Sequence, residues 1–88
     1  MSTAFTVVWD RDAEAELTRM WIENPLIQQK ISDAADYLDQ SLATDPFDLG
    51  IGSAGDFRQC VRPPLQVLIK ISEPDRLVRV LYVKFWIE

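Results

Sequence analysis

Residues 65–86 read LQVLIKIS, then EPDR, then LVRVLYVKFW, and this stretch decides the fold. In Leu65–Ser72 the apolar residues Val67, Ile69 and Ile71 alternate with Gln66, Leu68 and Lys70. Side chains along a strand point to opposite faces in turn, so one set faces a core and the other faces away. Glu73-Pro74-Asp75-Arg76 supplies a turn, with proline at a position whose fixed φ suits it. Leu77–Trp86 then returns as the last strand. Its middle, Val80 to Val83, is continuously apolar, which predicts a central strand carrying a bulge.

Working back from this hairpin, Phe57–Val61 reads as a third strand of the same sheet, stopped at Arg62-Pro63-Pro64 because paired prolines cannot donate to a ladder. By alternation Arg58 and Arg62 are expected to point the same way as Gln66, Leu68 and Lys70. Asp45–Asp56 holds all three glycines and reads as one long loop, a tether or a functional loop.

Upstream the apolar period lengthens. Ile27, Ile31, Ala34, Leu38 and Leu42 form a stripe over four helical turns, ended at Thr44-Asp45-Pro46 because proline pushes its predecessor out of α geometry. Ala13, Leu17, Met20 and Trp21 mark an earlier helix over Asp12–Glu23, with Asp10 or Asp12 as its cap. Asn24-Pro25 is the joint, short enough to make an antiparallel pair. Ala4–Trp9, rich in β-branched and aromatic residues, is the first strand. The expectation is one α+β domain over residues 1–88, of order β-α-α-β-β-β. A helical hairpin packs on one face of a mainly antiparallel four-stranded sheet. Arg58, Arg62, Lys70 and Lys84 are then expected on the face the helices leave free.

Composition narrows the chemistry. With 88 residues, 48% of them hydrophobic, the chain makes one small core. It has no histidine and one cysteine, so a transition-metal site lacks ligands and a Ser-His or Cys-His nucleophile pair is excluded. No metal or other cofactor is expected. Cys60 cannot form an internal disulfide, and its simplest reading is a small buried apolar side chain. No apolar run approaches the ~20 residues that span a bilayer, and residues 1–8 lack a signal-peptide pattern, so a cytoplasmic location with no membrane partner is expected.

The formal charge is −5, unevenly placed. Residues 1–56 carry three basic and eleven acidic side chains, whereas residues 57–88 carry six basic and three acidic. Asp33, Asp36 and Asp39 read as a solvated helix face, and with only Lys30 beside them the second helix is no DNA-recognition helix.

The order of elements resembles the RelE/ParE superfamily of toxin–antitoxin and plasmid-stabilisation proteins, of which this sequence looks like a divergent member. The features that carry the resemblance are an initial strand ending in an aromatic and a capping acid, and the stop Leu42-Ala43-Thr44-Asp45-Pro46. Gly55-Asp56-Phe57-Arg58 then leads into the sheet, and Asp75-Arg76 precedes a Val-rich last strand. The resemblance implies a toxin neutralised by a cognate antitoxin and acting on translation or on another essential target; an enzymatically active member would be a ribosome-dependent endoribonuclease acting on mRNA. Arg58 matches the family's basic position at the start of the first sheet strand, and Lys84 stands as a substitute for the arginine expected entering the next strand, where Leu65 or Gln66 is found. The resemblance also implies a Tyr or His for proton transfer beyond the last strand. Tyr82 is the only tyrosine on that strand, and within its apolar run it reads as a packing residue. Arg58, Arg62, Lys70 and Leu68 are the expected RNA or partner contacts, with Phe47, Leu49 and Ile51 offering further apolar contact. The alternative is a non-catalytic binding or dimerisation module, with Phe85-Trp86-Ile87 packing across a homodimer or completing the core.

Overall fold

The computed structural model describes residues 4–47 and 50–86. The first strand, β1 (Thr6–Trp9), leads into helix α1 (Arg11–Glu23). A 3₁₀ turn (Pro25–Ile27) joins it to helix α2 (Gln28–Thr44). Four strands follow: β2 (Gly50–Ala54), β3 (Phe57–Arg62), β4 (Leu65–Ser72) and β5 (Leu77–Phe85). They form one sheet in the order β1-β5-β4-β3-β2, antiparallel except for the parallel pair of β1 with β5.

Both helices and the four expected strands are present in the expected order. The difference is β2, which lies in the segment read as a loop. Its sequence, GIGSA, has little strand propensity of its own. The outer edge of β3 offers a row of unpaired backbone groups, and pairing with it supplies what local preference does not. The β2–β3 connection needs only Gly55 and Asp56, because Ala54 already pairs with Phe57. Gly55 has a φ of +63°, the left-handed conformation that hairpin turns of this length require and that glycine adopts without steric cost.

The core lies between the helical hairpin and one face of the sheet. Val67, Ile69 and Ile71 are all buried there, as their alternation predicts, with Val78, Val80 and Val83 beside them on β5. Ile31, Ala34, Leu38 and Leu42 of α2 and Ala13 and Met20 of α1 cover them. Each fully buried Leu or Ile contributes roughly 1.5–3 kcal/mol of transfer free energy.

Side chains satisfy the C-terminus of α1. Asn24 Nδ2 donates to the Met20 carbonyl at 2.7 Å and Gln28 Nε2 to that of Trp21 at 3.0 Å, closing the open C-terminus of α1. Asp10 occupies the cap position of α1 but makes no side-chain cap bond; its carboxylate pairs with Arg79 on β5 instead, at 2.9 Å. Trp9 Nε1 donates to Asp39 Oδ1 at 2.7 Å, tying the end of β1 to α2. None of the described helices is long and apolar enough to cross a membrane.

Candidate functional site

The face of the sheet turned away from the helices is the candidate site. Its composition follows from register, since residues directly opposite in an antiparallel pair point the same way. On β4 it presents Gln66, Leu68, Lys70 and Ser72; on β3 it presents Phe57, Gln59 and Val61, paired with Lys70, Leu68 and Gln66. Lys70 Nζ lies 5.8 Å from the centroid of the Phe57 ring, and Gln66 Nε2 donates to Gln59 Oε1 at 2.9 Å.

Strand β5 contributes through an irregularity. Ile69 pairs with Val80 while Leu68 pairs with Tyr82, so Leu81 is left without a partner. This bulge reverses the alternation of everything after it. Val78 and Val80 face the core before it, and Val83 faces the core after it. Tyr82 and Lys84 are therefore turned to the free face, opposite Leu68 and Gln66. Tyr82 is 39% exposed, which corrects its reading as a packing residue. A bulge was legible in the unbroken apolar run; which residue it would expel was not.

The resulting face has a centre of Leu68 and Tyr82, with Lys84 on one side and Lys70 and Arg79 on the other. No Asp or Glu occurs at the free-face positions of β3, β4 or β5. Arg79 is held by Asp10 beyond the end of β1, whereas Lys84 has no hydrogen bond or ion pair among the described residues. Such a surface, basic and partly aromatic, suits a polyanion or an acidic partner.

Leu68, Lys70 and Lys84 thus stand where the alternation placed them. Arg58 and Arg62 do not. Arg58 pairs with Ile69 and Arg62 with Leu65, both core-facing, so the two arginines emerge on the helix side of β3 with buried Cys60 between them. Burial pushes the Cys60 thiol up to about 11, with the Arg58 guanidinium pulling the other way. Arg62 lies over the Tyr37 ring of α2, 4.1 Å from its centroid, and Arg58 lies 5.7 Å from that of Phe47. The same parity was available from the sequence: a buried Cys60 takes Arg58 and Arg62 to its own side. Arg58 and Lys84, the expected catalytic pair, therefore stand on opposite sides of the sheet and do not converge on one atom.

Of the loop hydrophobes, Phe47 is half exposed and packs edge-on against Phe5, with centroids 6.1 Å apart. Leu49, the Ile51 side chain and Ile87 lie outside the described residues. Phe85 packs against the core, as one of the two expectations for the last segment had it. Among the described residues no cluster of three His, Cys, Asp or Glu side chains could hold a metal ion.

No family model matches this sequence, nor does any curated protein. Solved structures do. The chain is similar to one from the toxin-antitoxin complex RelBE2 of Mycobacterium tuberculosis, with a TM-score of 0.77 and 16% identity over 97% of this chain and 94% of that one. It is similar to one from the chromosomal ParDE toxin-antitoxin system of P. aeruginosa, with a TM-score of 0.72 and 15% identity over 96% and 98%. A third, TrmO from P. aeruginosa, has a TM-score of 0.63 and 24% identity, with 94% of this chain matching 34% of that one. The chain thus shares its α+β fold with chains from the RelBE2 and ParDE structures, at 15–16% sequence identity.

Proposed function

We propose that this protein is the toxin component of a toxin–antitoxin pair of the RelE/ParE kind, held inactive by a cognate antitoxin in the cytoplasm. The observation that carries this reading is the free sheet face, where Lys84 and Lys70 flank an exposed Tyr82 and no acid intervenes. The similarity of fold to chains of two toxin–antitoxin complexes supports it.

In its finer form the target is mRNA on the ribosome. Cleavage of RNA by its own 2′-hydroxyl builds negative charge on a phosphorane, and cations fixed at that point lower the barrier. Lys84 is the free cation best placed for it, with Lys70 across the strand pair. Tyr82 is the one phenol on that face and the group to hand a proton to the leaving oxygen, while the attacking 2′-hydroxyl gives its proton to water. Leu68 and Tyr82 together provide a flat surface for a base.

Expression without a partner tests the proposal. Growth arrest with transcript cleavage, relieved by Lys84→Ala and by Tyr82→Phe, is the expected result. Arrest without cleavage would keep the toxin and remove the ribonuclease, and absence of arrest would overturn both. The second reading, a non-catalytic binding or homodimeric module, is favoured by the separation of Arg58 from Lys84. It predicts no arrest, with a partner or a second copy bound through the same face.

A further inference from the structure

The two arginines displaced from the free face form a second feature, on the other side of the sheet. They lie along the seam where α2 meets β3, separated by Cys60, which is fully covered. Each guanidinium rests on an aromatic ring, Arg62 on Tyr37 and Arg58 on Phe47. Neither has a carboxylate within ion-pair distance among the described residues; Arg58 reaches only the Gly55 and Phe57 carbonyls, both at 3.4 Å. A cleft opens at each end. One of about 430 Å³ lies beside Arg58, Phe47 and Ser72, and one of about 330 Å³ beside Arg62, Lys30 and Pro64.

A guanidinium fixed on a ring has lost its rotamer freedom in advance, while its N–H fork stays available for a carboxylate. Two such forks on one strand, four residues apart, stand about 13 Å from each other. We infer that the α2–β3 seam docks an extended acidic peptide segment whose carboxylates, also four residues apart, pair with Arg58 and Arg62. Lys30 reinforces the Arg62 end, and Arg76, 5.2 Å from the Phe5 ring that packs against Phe47, reinforces the other.

Charge decides against a nucleic acid here. Asp33 lines the Arg62 cleft, and Asp56 and Glu73 line the Arg58 cleft. A phosphate backbone with a charge on every residue meets these acids within a Debye length of about 8 Å and is repelled. A peptide with two well-spaced carboxylates meets the arginines and leaves the acids facing neutral side chains. This docking site does not rest on the toxin reading, because it uses residues on the opposite side of the sheet.

The test uses the full chain and a nine-residue Ser/Thr peptide with Glu at its third and seventh positions, followed by calorimetry and by NMR of the arginine side chains. Binding should shift the Arg58 and Arg62 Nε signals and fall at least ~10-fold in the Arg58→Ala/Arg62→Ala double variant. The Arg58→Lys/Arg62→Lys variant, which preserves packing and charge but loses the fork, should fall between. Lys70→Ala/Lys84→Ala should leave it unchanged. Equal binding of the same peptide with Lys for Glu would overturn the inference. So would tighter binding of a thymidine oligonucleotide, loss of binding in the lysine double variant, or no binding at millimolar peptide. Because peptide binding and growth arrest are read separately, failure of one is not failure of the other.

Discussion

The Arg62 guanidinium lies 4.1 Å from the centroid of the Tyr37 ring, clamping the outer end of β3 to the middle of α2. Both side chains are substantially exposed, so their attraction belongs to the modest range of about 0.5–1 kcal/mol. In a double-mutant cycle with Tyr37→Leu and Arg62→Ala, urea denaturation should return a coupling energy of that size. Zero coupling would mean that the stacking is incidental.

The bulge at Leu81 makes a sharper prediction. Deleting Leu81 leaves Val80, Tyr82, Val83 and Lys84 in regular alternation with the same residues on the same faces. Deleting Val83 instead leaves the bulge and drives Lys84 toward the core, an uncompensated buried charge. The Leu81 deletion should fold and lose little stability, whereas the Val83 deletion should not fold, as circular dichroism and denaturant titration would report.

Cys60 predicts a pH dependence. Its thiol is raised by burial from 9.0 to about 11, so above pH 9 the unfolded chain releases a proton that the folded chain retains. The stability contributed by keeping the thiol neutral is fully present below pH 9 and lost as pH rises toward 11. Cys60→Ala should show a shallower decline of melting temperature over that window. An identical decline in both proteins would place the effect elsewhere.

In the core, Ile69 is fully buried at the centre of β4, where β3 and β5 both pair with it. Ile69→Ala should cost about 2–5 kcal/mol in unfolding free energy through lost transfer energy and the cavity left behind. Leu68→Ala, its neighbour on the free face, should cost distinctly less. A reversal of that order would contradict the assignment of faces.

Tyr82→Phe removes one hydroxyl from an exposed position and should leave stability within about 0.5 kcal/mol. Any loss of growth arrest in that variant is then a loss of chemistry rather than of fold, provided that expression and thermal melting match the parent protein.

Much of this molecule was legible in its sequence because local pattern and tertiary need agree. The stripe from Ile27 to Leu42 has one apolar face, and the alternation of Val67, Ile69 and Ile71 has another, so two layers follow. The acidic helical half and the basic strand half were equally plain. What local pattern could not determine is which residues stand opposite one another. A buried Cys60 hinted at the parity of β3, but only the pairing of Arg58 with Ile69 fixed it, moving two arginines from the expected binding face to the helix side. One unpaired residue, Leu81, turned Tyr82 out of the core and onto the candidate site. Strand β2, weak in propensity, exists because β3 had an open edge. In each case the deciding interaction lies between segments distant in sequence. Residue types limited what could be buried, and strand register decided which face each charged and aromatic group would occupy.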